Sequence, residues 1–203
     1  IVTPEDGIPR LAAIASSARR ATRLIDDLMD TVRLRADQPL ESRPAPIDLG
    51  AIVGASVEDA LRSSPSHPIR AEFDRSALIV NADGPRLERV IRNILDNAIK
   101  YSPDGSDVTV RLHREVDASE TWAVLTIADN GIGIPETDLP FVFERFRRGV
   151  NVAGRIAGSG IGLTGAQQIV AQHGGTISVE SIEGQGSTFT LRLPLIPNRS
   201  AGS

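Results

Sequence analysis

Between Gly84 and Lys100 the apolar residues Leu87, Val90, Ile91, Ile94, Leu95 and Ala98 recur at intervals of three and one. That pattern predicts a helix with one face that must be buried. Pro85 suits its first turn, where an amide hydrogen would have no partner. One flank carries Asn93, Asn97 and Lys100 at i, i+4 and i+7. Two carboxamides and an ammonium on one flank offer oxygens to a hard cation and positive charge to phosphates. Taken alone, the same flank also reads as a solvated face holding two weak helix formers.

The segments around this helix constrain the fold. Short strands fit 69–73 and 77–82, and longer ones fit 107–114 and 121–129. A helix over about 48–62 is led by Asp48 as N-cap. Glycine-rich loops occupy 130–133 and 149–162, and a helix fits 163–173, closed by Gly174 and Gly175. A final hairpin, 175–182 and 187–193, turns at Glu183-Gly184-Gln185-Gly186. Together these predict an α+β fold: a two-layer sandwich of a mixed, mostly antiparallel sheet with helices on one face. Aromatic residues make up only 3%, so its core must be mostly Leu, Ile, Val and Ala.

A different pattern precedes it. Leu11, Ile14, Ala18, Ala21, Ile25, Leu28 and Val32 are spaced 3-4-3-4-3-4, a heptad seam on a helix over 9–36. So narrow a stripe suits a bundle or coiled coil better than a globular surface. Residues 37–46 hold Pro39, Pro44 and Pro46 without periodicity and read as a linker. The domain proper is then expected over 47–195, with a flexible tail at 196–203.

Composition excludes several function classes. The 203 residues contain no cysteine, which removes thiol catalysis, disulfides and Cys-ligated zinc. A net charge of −4 argues against a nucleic-acid partner. No run approaches a membrane span and no signal segment opens the chain, which starts at Ile1 and reads as a piece of a longer protein.

Three further clusters carry chemistry. Asp129-Asn130-Gly131-Ile132-Gly133 ends the apolar strand of Val124, Leu125 and Ile127. An acid there can accept a hydrogen bond from an exocyclic amine, and the glycines let backbone approach a flat ring; the same residues also suit a hairpin turn. Gly158-Ser159-Gly160-Ile161-Gly162-Leu163 leads into a helix, whose first amides make an anion site. Gly184-Gln185-Gly186-Ser187-Thr188-Phe189 suits a hairpin turn.

In this order, the clusters resemble the ATP-binding domain of sensor histidine kinases, in the superfamily shared with gyrase, Hsp90 and MutL. Asn93 to Tyr101 looks like the N box, Asp129 to Gly133 the G1 box, Phe141 to Phe146 the F box, Gly158 to Leu163 the G2 box and Gly184 to Phe189 the G3 region. Leu24 to Asp30 looks like the second helix of the dimerisation and phosphoacceptor domain, which makes 1–36 a partial dimerisation domain. The resemblance implies ATP and Mg2+ as ligands. Asn97 would be the metal ligand, supported by Asn93. Lys100 would neutralise phosphate and Tyr101 would pack near the adenine. Asp129 would bind the adenine amino group, with Gly131, Gly133 and Ile134 shaping the pocket and Thr188 as a second hydrogen bonder. Residues 141–160 would form a lid, Arg148 and, less directly, Arg145 would reach phosphate, and Gly158, Ser159, Gly160, Ile161, Gly162 and Leu163 would cradle it.

The implied partners are a response regulator and a second copy of the full-length protein, joined through a four-helix bundle. The catalytic part would face the cytoplasm, with membrane contact only through upstream regions. The phosphoacceptor histidine is expected on a first bundle helix that this chain lacks, because His67, His113 and His173 all fall outside the seam helix. The fragment is therefore expected to be unable to phosphorylate itself. An alternative is a regulatory or phosphatase-type nucleotide-binding module without turnover.

Overall fold

The structure is a computed structural model. It describes residues 42–103, 105–117, 120–147, 149, 151 and 160–197. The chain divides into two units, 1–41 and 42–203. The described residues all belong to the second unit. The expected seam helix and the first half of the expected linker lie outside them.

The elements run β1 (Ala45–Asp48), α1 (Leu49–Ser63), β2 (Ile69–Phe73), β3 (Ile79–Ala82), α2 (Gly84–Lys100), β4 (Val108–Asp117), β5 (Glu120–Asp129), a short 3-10 turn (Leu139–Phe141), α3 (Gly162–Gln172), β6 (Thr176–Ile182) and β7 (Gly186–Pro194). Five strands form one sheet in the order β2-β4-β5-β7-β6. β2 runs parallel to β4 and every other pair is antiparallel. Along β4, Val108, Val110 and Leu112 are buried while Arg111 and His113 are exposed, the period-2 alternation of a sheet covered on one face. The covering layer is the three helices. The α2 stripe of Leu87, Val90, Ile91, Ile94, Leu95 and Ala98 joins Leu49 and Val53 of α1 and Ile169 and Val170 of α3 in one core with the inner sheet face. This is the expected two-layer α+β sandwich with a mixed, mostly antiparallel sheet.

Two margins differ from the expected boundaries. Ala45 and Pro46, placed by sequence in the linker, belong to β1, which pairs with β3 from Ala45↔Ala82 to Asp48↔Ile79. Proline cannot donate to a ladder, so it suits this edge strand, and its presence hid the strand signal. At the other end Leu195 bridges Val80, and the Ile196 amide donates to Ile79 O at 2.9 Å. Ile196 is thus held by β3 rather than starting a free tail.

Asp48 caps α1: its Oδ1 accepts from Gly50 N at 3.0 Å and, from the β3 side, Leu78 N at 3.4 Å. Replacing it by Ala is expected to cost about 1 kcal/mol. In a domain of this size that lowers the thermal midpoint by roughly 2–4 °C, which calorimetric melting would read. Among the described residues no helix is long and apolar enough to cross a membrane.

Candidate functional site

Asp129 is the last residue of β5, and the pleat turns it to the helix side of the sheet, where it is 8% exposed. Its Oδ1 accepts two main-chain N–H groups, from Gly131 at 2.9 Å and from Ser187 at 3.3 Å. These fix the carboxylate's orientation and leave Oδ2 free to accept from something else. Burial pushes the Asp129 carboxyl up from its ordinary 3.8, and the two amide hydrogens pull the other way without cancelling it.

The loop after Asp129 is stitched to its neighbours by main-chain bonds. Ile132 N donates to Tyr101 O at 3.0 Å, just past the end of α2, and Gly184 N donates to Ile132 O at 2.8 Å. Ile134 N donates to Ser181 Oγ at 2.8 Å, and that hydroxyl donates to Gly186 O at 2.7 Å. The 129–134 loop is therefore wedged between the C-terminal end of α2 and the β6–β7 hairpin. Gly133, at φ 63°, sits against Ile182.

The second half of the site is where α2 and α3 meet. α2 carries Asn93 and Asn97, both half-buried, and the exposed Lys100. Lys100 Nζ donates to the Tyr101 hydroxyl at 3.3 Å and lies 4.8 Å from that ring's centroid. α3 starts at Gly162, where an added Cβ would stand 2.3 Å from Asn93 Oδ1. Only glycine lets the first turn of α3 rest on the amide flank of α2. Asn93 Nδ2 is buried there with no hydrogen-bond partner, an orphan donor of the kind that marks a ligand site or stored strain. The unpaired amides of a helix N-terminus complete an anion-attracting corner.

The structure thus forms two contact groups, Tyr101, Asp129, Gly131, Gly133 and Ile134 around the 129–134 loop and Asn93 with Gly162 where α2 meets α3, and Asn97 and Lys100 lie between them along α2. Ile161 is buried at the start of α3, and Leu163 packs against the core. Gly160, at φ 71°, accepts from Phe146 N at 3.0 Å. Arg145 is exposed on the loop after the 3-10 turn. Arg148, Gly158 and Ser159 lie outside the described residues.

Thr188 requires a correction. It pairs with Ala128 while Ser187 pairs with Asp129, so the pleat turns Thr188 to the opposite sheet face. The residue that reaches Asp129 from β7 is Ser187, through its backbone N–H. Sequence reasoning also missed the Tyr101 carbonyl and the Ser181 hydroxyl. The alternation of the buried Phe189, Leu191 and Leu193 along β7 was the one signal available for Ser187.

Comparison with known proteins decides the family. The model for histidine kinase-, DNA gyrase B- and HSP90-like ATPases matches residues 82–197, more than half of the chain. The chain belongs to this ATPase family. Within it, the probable sensor histidine kinase TcrY of Mycobacterium tuberculosis is 37% identical over 193 residues, covering 95% of this chain and 39% of TcrY. The sensor histidine kinase WalK of Bacillus subtilis is 42% identical over 118 residues, 58% of this chain and 19% of WalK. The solved mycobacterial sensor histidine kinase MprB superposes with a TM-score of 0.66 at 33% identity, covering 76% of this chain and 99% of that one. Full-length ShkA, solved in complex with AMPPNP, shares the fold with a TM-score of 0.72 at 22% identity, over 96% of this chain and 40% of ShkA. The described unit is the ATP-binding catalytic domain of the histidine-kinase branch. The chain spans less than two fifths of TcrY and of WalK.

Proposed function

We propose that this chain binds ATP with magnesium and, in its parent protein, delivers the γ-phosphate to a histidine on a bundle helix for relay to a response-regulator aspartate. The parent would work as a cytoplasm-facing homodimer. One observation carries the reading: Asp129 is buried with Oδ1 committed to two main-chain donors and Oδ2 free, which suits a single amine donor such as that of adenine. The first amides of α3 and Lys100 would hold phosphate oxygens. Asn97 would give a cation its amide oxygen, with Asn93 beside it. Among the described residues no three acidic, histidine or cysteine side chains converge. A cation here would therefore be carried largely by phosphate and water, which is how magnesium usually sits. When bound, magnesium neutralises phosphate charge; the protein's share of phosphoryl transfer is positioning and further charge neutralisation.

Titration calorimetry with ADP and a non-hydrolysable ATP analogue, with and without magnesium, tests this. Magnesium-dependent binding at one site per chain is the expected result. No binding by a folded chain would overturn it and favour a regulatory module.

The three histidines are poor internal acceptors. His67 is buried, with Nδ1 on the Ser64 and Ser66 hydroxyls at 3.0 and 3.2 Å and Nε2 on Ser102 O at 3.4 Å. His173 is buried with both ring nitrogens engaged. His113 is exposed on the outer sheet face opposite Val124, five positions from Asp129 and so about 17 Å along β5. Incubation with γ-labelled ATP is expected to leave no acid-labile phosphate on this chain; label on His113 would contradict that.

Acid should move affinity and the Asp129 contribution to stability in opposite directions. Protonating Asp129 removes the acceptor, so affinity falls on acidification, beginning above pH 3.8 because the folded value is raised. In the window between the unfolded 3.8 and that raised value the folded chain binds the extra proton. This group's contribution to stability therefore falls as pH rises through the window. Calorimetric affinities, and denaturant midpoints of the wild type relative to Asp129→Asn at matched pH, would show the opposite slopes.

A further inference from the structure

We propose that His173, just past the end of α3, is a positioning residue for the phosphate end of the site, acting by pinning the register of α3 against α2. The inference rests on the nucleotide reading above. α2 and α3 run antiparallel, and beyond their shared apolar packing and an exposed side-chain bond two contacts fix their ends. At one end Gly162 meets Asn93; at the other His173 meets Asp83, the N-cap of α2. From Gly162 to His173 is eleven residues and from Asn93 back to Asp83 is ten, so the spans are about 16 and 15 Å. The two contacts match in length, and each limits sliding at the other.

The His173 contact is directional. The Asp83 amide donates to Nε2 at 3.0 Å, so Nε2 carries no proton. Nδ1 then carries it and donates to Ile169 O at 2.7 Å, locking the ring to its own helix. The Ser42 hydroxyl lies 3.5 Å from the same Nε2. Asp83 itself caps α2 through Arg86 N at 3.3 Å, and its carboxylate faces Arg86 Nε at 3.5 Å and Arg43 N at 3.1 Å. An exposed bond from Arg86 Nη1 to Gln172 Oε1 at 3.2 Å joins the same two helices.

The Gly162 contact has no slack, since not even a Cβ fits there. If the His173 end lets go, α3 shifts as a rigid rod, and its first amides move relative to Asn97 and Lys100. Asp129, Gly131 and Ser187 are held by β5, β7 and their loops, so the adenine end is spared. The expected signature is a split: affinity for the triphosphate falls and affinity for adenosine does not.

Three variants test it. His173→Leu removes both ring bonds. His173→Asn can keep the bond to Ile169 but does not reach Asp83. His173→Gln places an acceptor near the Nε2 position. Leu and Asn are expected to weaken the non-hydrolysable ATP analogue about tenfold, to leave adenosine within about twofold, and to speed amide exchange at Gly165, whose N–H is bonded to Ile161 O, in the nucleotide-free chain. Gln is expected to restore the analogue's affinity and the slow exchange. Equal losses for both ligands, unchanged exchange at the start of α3, or no recovery with Gln would overturn the proposal. If the wild-type chain bound neither ligand, the nucleotide reading would fail separately, and the exchange data would still decide the pin.

Discussion

Asp129→Asn is expected to abolish nucleotide binding, with at least about a hundredfold loss of affinity, while leaving the domain folded. The reason is which oxygen does what. Oδ1 accepts from the Gly131 and Ser187 amides. An asparagine keeps that oxygen only by placing its NH2 group where Oδ2 stood. That donor would then face the donor of an adenine amine, and a site built around one hydrogen bond rejects a ligand that cannot make it. Asp129→Ala is a harsher test. It also strands two buried N–H groups, so a stability loss of about 1–3 kcal/mol should accompany the loss of binding. Calorimetric titration and thermal melting of both variants separate the two effects. An Asn variant that still bound adenosine within tenfold of wild type would exclude Asp129 as the adenine acceptor.

Gly186→Ala should do the reverse, damaging the fold first. Gly186 opens β7 at φ 108°, and an added Cβ would stand 2.0 Å from Asp129 O. The obstacle is backbone of the strand that carries the site, so no side chain can swing aside. Strain at that φ together with the forced separation of β5 and β7 should cost about 3–5 kcal/mol. That is a large fraction of the total stability of a domain this size. Denaturant unfolding would show a much lower midpoint, and binding would disappear with it. Gly184→Ala is the matched control. Its φ is also positive, 79°, but an added Cβ would meet nothing within 4 Å, so a cost of only about 1 kcal/mol is expected there.

These two variants also mark where sequence reasoning reaches and where it stops. α2 was legible because six apolar residues declared its buried face, which placed Asn93, Asn97 and Lys100 on one flank. Asp129 was legible because an acid followed by glycines at the end of an apolar strand has few uses. Two of the failures share a cause. Ser187 and Tyr101 act through a backbone N–H and a backbone carbonyl, and every residue type supplies those groups. The expected role of Thr188 slipped by one position because the register between β5 and β7 sets which side chain faces Asp129. β1 was hidden by Pro44 and Pro46, which read locally as linker although an edge strand accommodates one of them. The buried histidines were invisible for another reason. His67 and His173 each bond to residues more than thirty positions away, and no local pattern announces such a partner.

The bond from Phe146 N to Gly160 O has a consequence for how the chain can change over generations. It closes the base of the loop between Phe146 and Gly160, while Asp129 and α2 are tied to the sheet and the core independently of it. Lengthening a loop whose ends are already fixed is cheap: doubling it costs about 0.6 kcal/mol. Insertions and deletions should therefore collect between Phe146 and Gly160, leaving Asp129 and α2 untouched. The stretch between those two residues is thus the one whose length natural variation can alter most freely.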